Sequence, residues 1–440
     1  MSRFHFVGVA GSGMSALARY AAMRGDAVSG SDRAFDRGER AELRAAFEAL
    51  GVVVHPQDGS GVSHGCTVVV STAVEDSIPD VVRARETGVD VVHRSELLAR
   101  FVSERRTVAI AGTSGKSTVV AMVFEVLRAA GMDPSVLSGA DLLCLGEAGN
   151  AWAGRGDLLV VEADESDGSL VRYEPAVAVV LNVSRDHQEI AESLALFRTF
   201  AQRARERVVV GEDDALRGLA PGAVVFGFSA DATVQATRIE LHPAGSRFVA
   251  DDVAFSLPVP GRHEVDNALA ALAVCDALEV PHEVAARALA AFQGVARRFR
   301  IVGRPRGVTV VDDYAHNAAK IRAAIEAARV VGRRVIAVFQ PHGYGPLRQG
   351  LAEIAEALRS ADVVHVLPIY YAGGTVRRDV TSEDLAARIG ATTGDRVTVG
   401  GRIAREAQSG DVVLVMGARD STLTGFAREI AASIDATGGP

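Results

Sequence analysis

The sequence predicts an α/β fold built mostly on parallel sheets, and three observations carry that prediction. Short runs rich in valine, isoleucine and alanine recur along nearly the whole chain. Helical patterns lie between them, as strand-helix-strand units require. Two of the runs end in glycine turns that open into a helix, "GVAGSGMSALA" and "IAGTSGKST".

The strands fall into sets. The first holds "FHFVGV", "AVSGSD", "GVVVH", "TVVVSTA" and "VDVVH", and closes at the charged helical stretch "RSELLARFVSERR", which sets a first domain at residues 1–103. The second begins with "RTVAIAG" and includes "DLLVVEADES", "PAVAVVLNVS" and "RVVVGE", giving a central domain at 104–294. Within it, "ATVQATRIEL" and "RFVADDVAFSL" alternate with period two and predict antiparallel hairpins. After "GVARRFRIVGRPRG" a third set, "VTVVDDYAH", "RRVIAVFQPH", "ADVVHVLPIYY", "RVTVG" and "DVVLVMGA", defines a domain at 295–440. No solenoid period interrupts this order.

With 440 residues the chain is too long for one core. A content of 48 % hydrophobic and 23 % charged residues is that of a soluble globular protein, and no apolar run reaches the ~20 residues of a membrane span. The folded domain is expected to begin at Met1, since the first apolar run is too short for a signal-peptide core. Cys66, Cys144 and Cys275 are odd in number and scattered, which suits a reducing cytoplasm and excludes a disulfide framework. A net charge of −8 argues against nucleic acid as a partner. A membrane partner is not expected either, and anionic ligands must be held locally.

"IAGTSGKST" joins a strand to a buried helical pattern, "STVVAMVFEVLRAAG", that ends at Gly131. The unpaired N–H groups of such a helix start, and its positive dipole end, favour a phosphate. Gly112 and Gly115 let the backbone wrap an anion, Lys116 adds a mobile cation, and the Ser117 hydroxyl can face Mg²⁺. The generic phosphate-loop pattern wants a glycine where Ile110 stands. An ordinary βα turn with a surface lysine is the alternative, but it leaves Lys-Ser-Thr at the first helical turn unexplained. A metal also needs carboxylates, and "DLLVVEADESDGS" places Glu162 at a strand end with Asp164, Glu165 and Asp167 behind it. Either Glu162 is the second Mg²⁺ ligand or this is a solvated acidic loop. Asp186 and His187 follow the next strand, where His187 can reach a second metal or the γ-phosphate.

The first glycine turn, Gly11-x-Gly13-x-x-Ala16 with Asp32 about 20 residues on, is a Rossmann fingerprint. Alone it fits a dinucleotide and a dehydrogenase. Two anion-binding turns in one chain fit two phosphorylated ligands better, ATP at the lysine-bearing loop and a nucleotide-carrying substrate at the first.

The series "GVAGSGMSALA", "IAGTSGKST", "VVEADESDGS", "LNVSRDH", "GRHEVDNALAALAV", "RRF", "VVDDYAHNAAKI" and "QPH" resembles the Mur ligases across essentially the whole chain. It is most similar to the branch that joins the first amino acid, or a recycled peptide, to UDP-N-acetylmuramate. In that family the loop from Gly112 to Thr118 is itself the ATP loop. The resemblance implies a three-domain Mur ligase architecture: a Rossmann-like UDP-sugar domain, a central P-loop ATPase domain with an antiparallel β portion, and a Rossmann-like C-terminal domain that receives the amino acid. It implies a cytoplasmic ligase of peptidoglycan precursor synthesis, monomer or homodimer, with ATP and Mg²⁺ as cofactors. Its expected reaction joins L-alanine to UDP-N-acetylmuramate through an acyl phosphate; a murein-peptide recycling ligase, or another amine or acid, is the alternative.

The same resemblance implies residue roles. Gly112, Thr113, Ser114, Gly115, Lys116, Ser117 and Thr118 would hold ATP, with Lys116 on the β- and γ-phosphates and Asn267, Arg298 and Asp313 at the nucleotide. Ser117, Glu162 and His187 would hold Mg²⁺, and Lys116, Glu162, His187 and Arg298 form the catalytic set. Ser12, Gly13 and Met14 would surround the diphosphate, with Ser31, Asp32 and Ser71 near the uridine. His316 and His342 are candidates to orient the amino acid. The chain departs from the family in four places. Ser114 stands where histidine is usual, Gly343 stands where arginine usually follows "QPH", leaving Arg348 as a candidate cation, Gln188-Glu189 replaces the more common Met-Asp after His187, and no lysine follows in "SLALFRTFAQRARER" to be carbamylated.

Overall fold

The computed structural model describes residues 2–165, 168–184, 189–371 and 376–436. Two compact units divide the chain, one of residues 1–236, 250–253 and 266–295, the other of 237–249, 254–265 and 296–440.

The first unit holds two sheets. Strands β1 (Arg3–Val7), β2 (Ala27–Ser31), β3 (Val53–His55), β4 (Thr67–Val70) and β5 (Val91–His93) lie in the order β3-β2-β1-β4-β5, all parallel. Helices α1 (Ser12–Met23), α2 (Arg33–Asp36), α3 (Ala41–Ala49), α4 (Pro79–Thr87) and α5 (Arg94–Ser103) connect or follow them. The central sheet has β6 (Arg106–Ala111), β7 (Ser135–Leu137), β8 (Ala151–Trp152), β9 (Leu158–Glu162), β10 (Val177–Val180), β11 (Arg207–Gly211), β12 (Val224–Gly227) and β13 (Val234–Gln235). Their order is β13-β12-β11-β10-β6-β9-β7-β8, parallel except for the β7–β8 pair. Helices α6 (Lys116–Ala129), α7 (Ile190–Gln202), α8 (Asp214–Arg217), α9 (Arg262–Ala277) and α10 (His282–Ala290) complete this part of the chain. β6 lies between β9, reached by one branch of the chain, and β10, which starts the other, so its carboxyl end opens at a topological switch point.

The hairpin prediction needs one correction. Val234–Gln235 of "ATVQ" adds to the central sheet in parallel to β12, and the antiparallel pairing begins at β14 (Thr237–His242), followed by β15 (Gly245–Ala250) and β16 (Val253–Leu257). This three-stranded sheet groups largely with the second unit.

The second unit contains β17 (Arg300–Gly303), β18 (Thr309–Asp313), β19 (Arg334–Phe339), β20 (Val363–Val366), β21 (Thr392–Thr393) and β22 (Asp411–Met416) in the order β17-β18-β22-β19-β20-β21, with only β17 antiparallel to its neighbour. Side chains alternate faces as strands require. Val335, Ala337 and Phe339 of β19 join the core under α11 (Ala318–Val331), α12 (Tyr344–Leu358) and α13 (Ser382–Ile389). Ile336 and Val338 join the opposite core, under α14 (Arg396–Glu406) and α15 (Leu423–Ala436).

"RVTVG", expected as a strand, is the first turn of α14. Asp395 caps that helix, its carboxylate accepting the Thr398 N–H at 2.7 Å. Val399 and Ile403, four apart, are buried while Val397 is 85 % exposed, so the apolar period is helical and the local alternation is incidental.

One half-buried acid in the first unit, Glu125, yields a stability prediction. Glu125 of α6 packs against Cys144, and burial pushes its carboxyl up to about 7 despite the Gln293 backbone N–H and the Cys144 thiol; its Oε1 has no partner. A raised carboxyl pKa means that stability present below the unfolded value of about 4.5 is lost as pH rises through 7. Glu125→Gln should therefore leave the thermal midpoint unchanged near pH 5 and raise it at pH 8, by an amount equivalent to about 1–2 kcal/mol once partial exposure is allowed for. An equal shift at both pH values would contradict this.

Candidate active site

The loop after β6 has the conformation the glycines predict. Gly112 has φ +130° and Gly115, which precedes α6, has φ +87°. A Cβ on Gly112 would lie 3.0 Å from the Leu181 backbone nitrogen, and one on Gly115 would lie 2.4 Å from Asn267 Oδ1. Both glycines are thus fixed by sterics as well as by φ, and Asn267 sits over the loop, where the resemblance put a nucleotide contact.

Lys116 Nζ donates to the Gly112 carbonyl at 2.7 Å and to Glu165 Oε2 at 2.7 Å. Burial opposes its ammonium, but Glu165, with Asp164 and Glu162, more than reverses this and raises the pKa, so the cation persists at neutral pH. The choice of lysine is pointed. Lys116 and Lys320 are the only lysines among the chain's 47 lysines and arginines, and a compact, flexible ammonium suits a phosphate as a point charge. Ser117 Oγ donates to Glu162 Oε2 at 2.8 Å, and the same oxygen accepts the Gly139 N–H at 2.9 Å. The acidic stretch therefore divides. Glu162 meets the Ser117 hydroxyl, Glu165 meets Lys116, and Asp164 lies 4.0 Å from Arg94. His187 and Asp167 lie outside the described residues.

Sequence reasoning missed Asn182. Its Oδ1 accepts the Ser114 N–H at 2.9 Å and its Nδ2 donates to the Ser114 carbonyl at 3.0 Å, clasping the loop from the end of β10. Thr113 Oγ1 accepts the Ser184 N–H at 3.0 Å beside it. No spacing rule singles out an asparagine at a strand end. Thr118, inside α6, is buried.

At the first glycine turn Asp32 serves the backbone. Oδ2 accepts the Ala10 N–H and Oδ1 accepts the Ala34 N–H, both at 2.9 Å, so each oxygen of the carboxylate expected near the uridine already accepts a backbone N–H. Ser31 is fully buried, Met14 belongs to the hydrophobic core, and Ser71 is half-buried at the end of β4. A Cβ on Gly13 would stand 2.9 Å from Arg94 Nη1, which brings a guanidinium to the start of α1. The Ser12 carbonyl accepts Asn150 Nδ2 at 3.0 Å, a tie between the two sheets' elements that the sequence did not suggest.

In the second unit Asp313 accepts the N–H groups of Phe299 at 2.7 Å and Ala315 at 2.6 Å. Burial raises its pKa, and the Arg298 charge and those two bonds oppose the rise. Arg298 lies over the Tyr314 ring, 4.5 Å from its centroid. His316 and His342 are buried with ring centroids 4.8 Å apart, and His316 Nδ1 donates to the Tyr314 carbonyl at 2.9 Å. Arg348 pairs with Asp379 at 2.5 Å.

A strand, a glycine loop with Lys-Ser, a helix and an acid-tipped neighbouring strand together define a nucleoside-triphosphate-binding α/β protein. Residues 3–106 match the Mur ligase family catalytic domain, 110–275 the Mur ligase middle domain and 297–419 the Mur ligase glutamate ligase domain. The chain belongs to the Mur ligase family. It is 39 % identical to the UDP-N-acetylmuramate–L-alanine ligase of Streptomyces avermitilis over 97 % of this chain and 96 % of that one. The crystal structure of UDP-N-acetylmuramate–alanine ligase from Thermotoga maritima matches 99 % of this chain and all of its own, with TM-score 0.83 and 26 % identity. That of a murein peptide ligase from Psychrobacter arcticus, 21 % identical with TM-score 0.71 over 99 % of each chain, shares the fold.

Proposed function

We propose that this chain is an ATP-dependent ligase that joins L-alanine to UDP-N-acetylmuramate through an acyl phosphate. One observation carries the reading: the Lys116 loop, with Ser117 and Glu162 brought together beside it, lies in a chain similar over nearly its full length to ligases of that name. Residues 1–103 would bind the nucleotide sugar, 104–294 ATP and 295–440 the amino acid.

The sugar's carboxylate attacks the γ-phosphorus of ATP, and ADP leaves. Lys116 and the loop N–H groups hold the phosphate oxygens as their charge shifts. The amine of L-alanine then attacks the acyl carbon, an amide forms, and inorganic phosphate leaves with one of the original carboxylate oxygens. Ser117 and Glu162 offer a hydroxyl and a carboxylate oxygen at one point, the hard oxygen donors that Mg²⁺ prefers, and would hold it. Mg²⁺ there would neutralise phosphate charge. By the family resemblance, His187 would serve a second Mg²⁺.

Phosphate release should require ATP, UDP-N-acetylmuramate and L-alanine together, with glycine, L-serine and a tripeptide each slower by at least about 10-fold, as the loss or gain of small groups in a closed pocket implies. Faster release with the tripeptide would replace L-alanine by a recycled peptide. Release with no amine in the panel would overturn the substrate assignment.

A further inference from the structure

The sheet of the second unit has its own switch point. From β19 the chain leaves to α12 on one face, and from β22 it leaves to α15 on the other, although β19 and β22 are adjacent. Their carboxyl ends therefore flank the crevice where an open α/β sheet takes its ligand. The loops there are stitched together: Gln340 N–H donates to the Met416 carbonyl at 2.9 Å and Gly417 N–H to the Asp313 carbonyl at 3.2 Å.

Two features of this crevice favour an anion. The helix α12 starts at Gly343 with no side-chain cap, so its positive end faces the loop junction uncovered. Across it stands Arg419, whose Nη1 lies 3.9 Å from the point a Gly343 Cβ would occupy. The exposed guanidinium thus reaches the glycine at the start of α12, which follows buried His342. Among the described residues no carboxylate pairs with Arg419; its neighbour Asp420 is held by Arg396 at 2.5 Å and by the Thr422 hydroxyl at 2.6 Å.

Arg419 is also held in place at some expense of backbone comfort. Its φ is +63°, a region that favours glycine over side-chain-bearing residues. The loop is pinned on both sides, since Arg297 donates to the Gly417 carbonyl at 2.6 Å and to the Asp420 carbonyl at 3.1 Å. An exposed cation kept at a strained position beside such a crevice, with no carboxylate partner among the described residues, is a pattern associated with binding.

We infer that Arg419 is the specificity-determining cation that receives the α-carboxylate of the incoming amino acid, a role that Arg348, engaged by Asp379, does not fill. This rests on the proposed ligation. The test compares L-alanine with L-alaninamide, which has the same amine and no carboxylate. In Arg419→Gly the KM for L-alanine should rise about 30- to 100-fold, as loss of a charge-assisted bidentate contact implies, while the KM values for ATP and the nucleotide sugar stay within twofold. The KM for L-alaninamide should be the same in both enzymes. The thermal midpoint should hold or rise, because glycine relieves the positive φ, so a KM change is not a folding defect. An L-alanine KM within threefold of wild type, or an equal loss for L-alaninamide, would overturn the inference and leave the ligase reading standing. Absence of wild-type turnover with L-alanine would overturn both, before any variant is compared.

Discussion

Lys116→Ala lowers ATP-dependent phosphate release about 10³-fold or more, equivalent to about 4 kcal/mol of transition-state stabilisation. The ammonium is the one mobile cation inside the loop and remains protonated because three carboxylates surround it. Its removal also leaves Glu165, only 7 % exposed, without its counter-charge, and a buried unpaired carboxylate destabilises by roughly 3–5 kcal/mol. A second variant separates the two effects. Lys116→Ala/Glu165→Gln should regain much of the thermal midpoint and none of the activity. Recovery of phosphate release in the double variant would show that Lys116 acts only by holding Glu165.

Glu162→Gln should reduce kcat by about 10²–10³-fold, the range for loss of one preorganised electrostatic contact. The amide is isosteric, and its oxygen can still accept from Ser117 Oγ and Gly139 N–H, so the local fold is kept. What disappears is the charge that would hold a divalent cation. The concentration of Mg²⁺ giving half-maximal activity should therefore rise, with the KM for L-alanine unaffected. An unchanged Mg²⁺ dependence would remove Glu162 from the metal site. Gly139→Ala tests the same carboxylate from outside, since the new methyl would stand about 3.0 Å from Glu162 Oε2.

The phosphate loop was legible despite the missing outer glycine. Its requirements are local: φ values open only to glycine at 112 and 115, a helix start, and a lysine in the first turn. The Ser117–Glu162 pairing was legible one step further, because in a doubly wound sheet the carboxyl ends of the strands face the same crevice as the loop, and an acid directly after an apolar strand therefore stands out. Asn182 was not, because its contact with Ser114 depends on β10 lying beside β6, and an asparagine at a strand end carries no periodic signal. Arg348 and Arg419 show the same limit. Sequence reasoning looks one helical turn along from Gly343, whereas the sheet brings in a residue from the far end of the chain. "RVTVG" misled for a different reason: alternation over five residues is shorter than the helical period needs to declare itself, and the Asp395 cap decided the outcome.

The proposed ligation requires transfer of the γ-phosphoryl group to a carboxylate. The most direct test supplies UDP-N-acetylmuramate labelled with ¹⁸O in its carboxylate and examines the phosphate released during turnover with ATP and L-alanine. An acyl phosphate requires one ¹⁸O atom in each phosphate. Phosphate that leaves without label, with the displaced ¹⁸O found in water and one ¹⁸O kept in the amide, would contradict it.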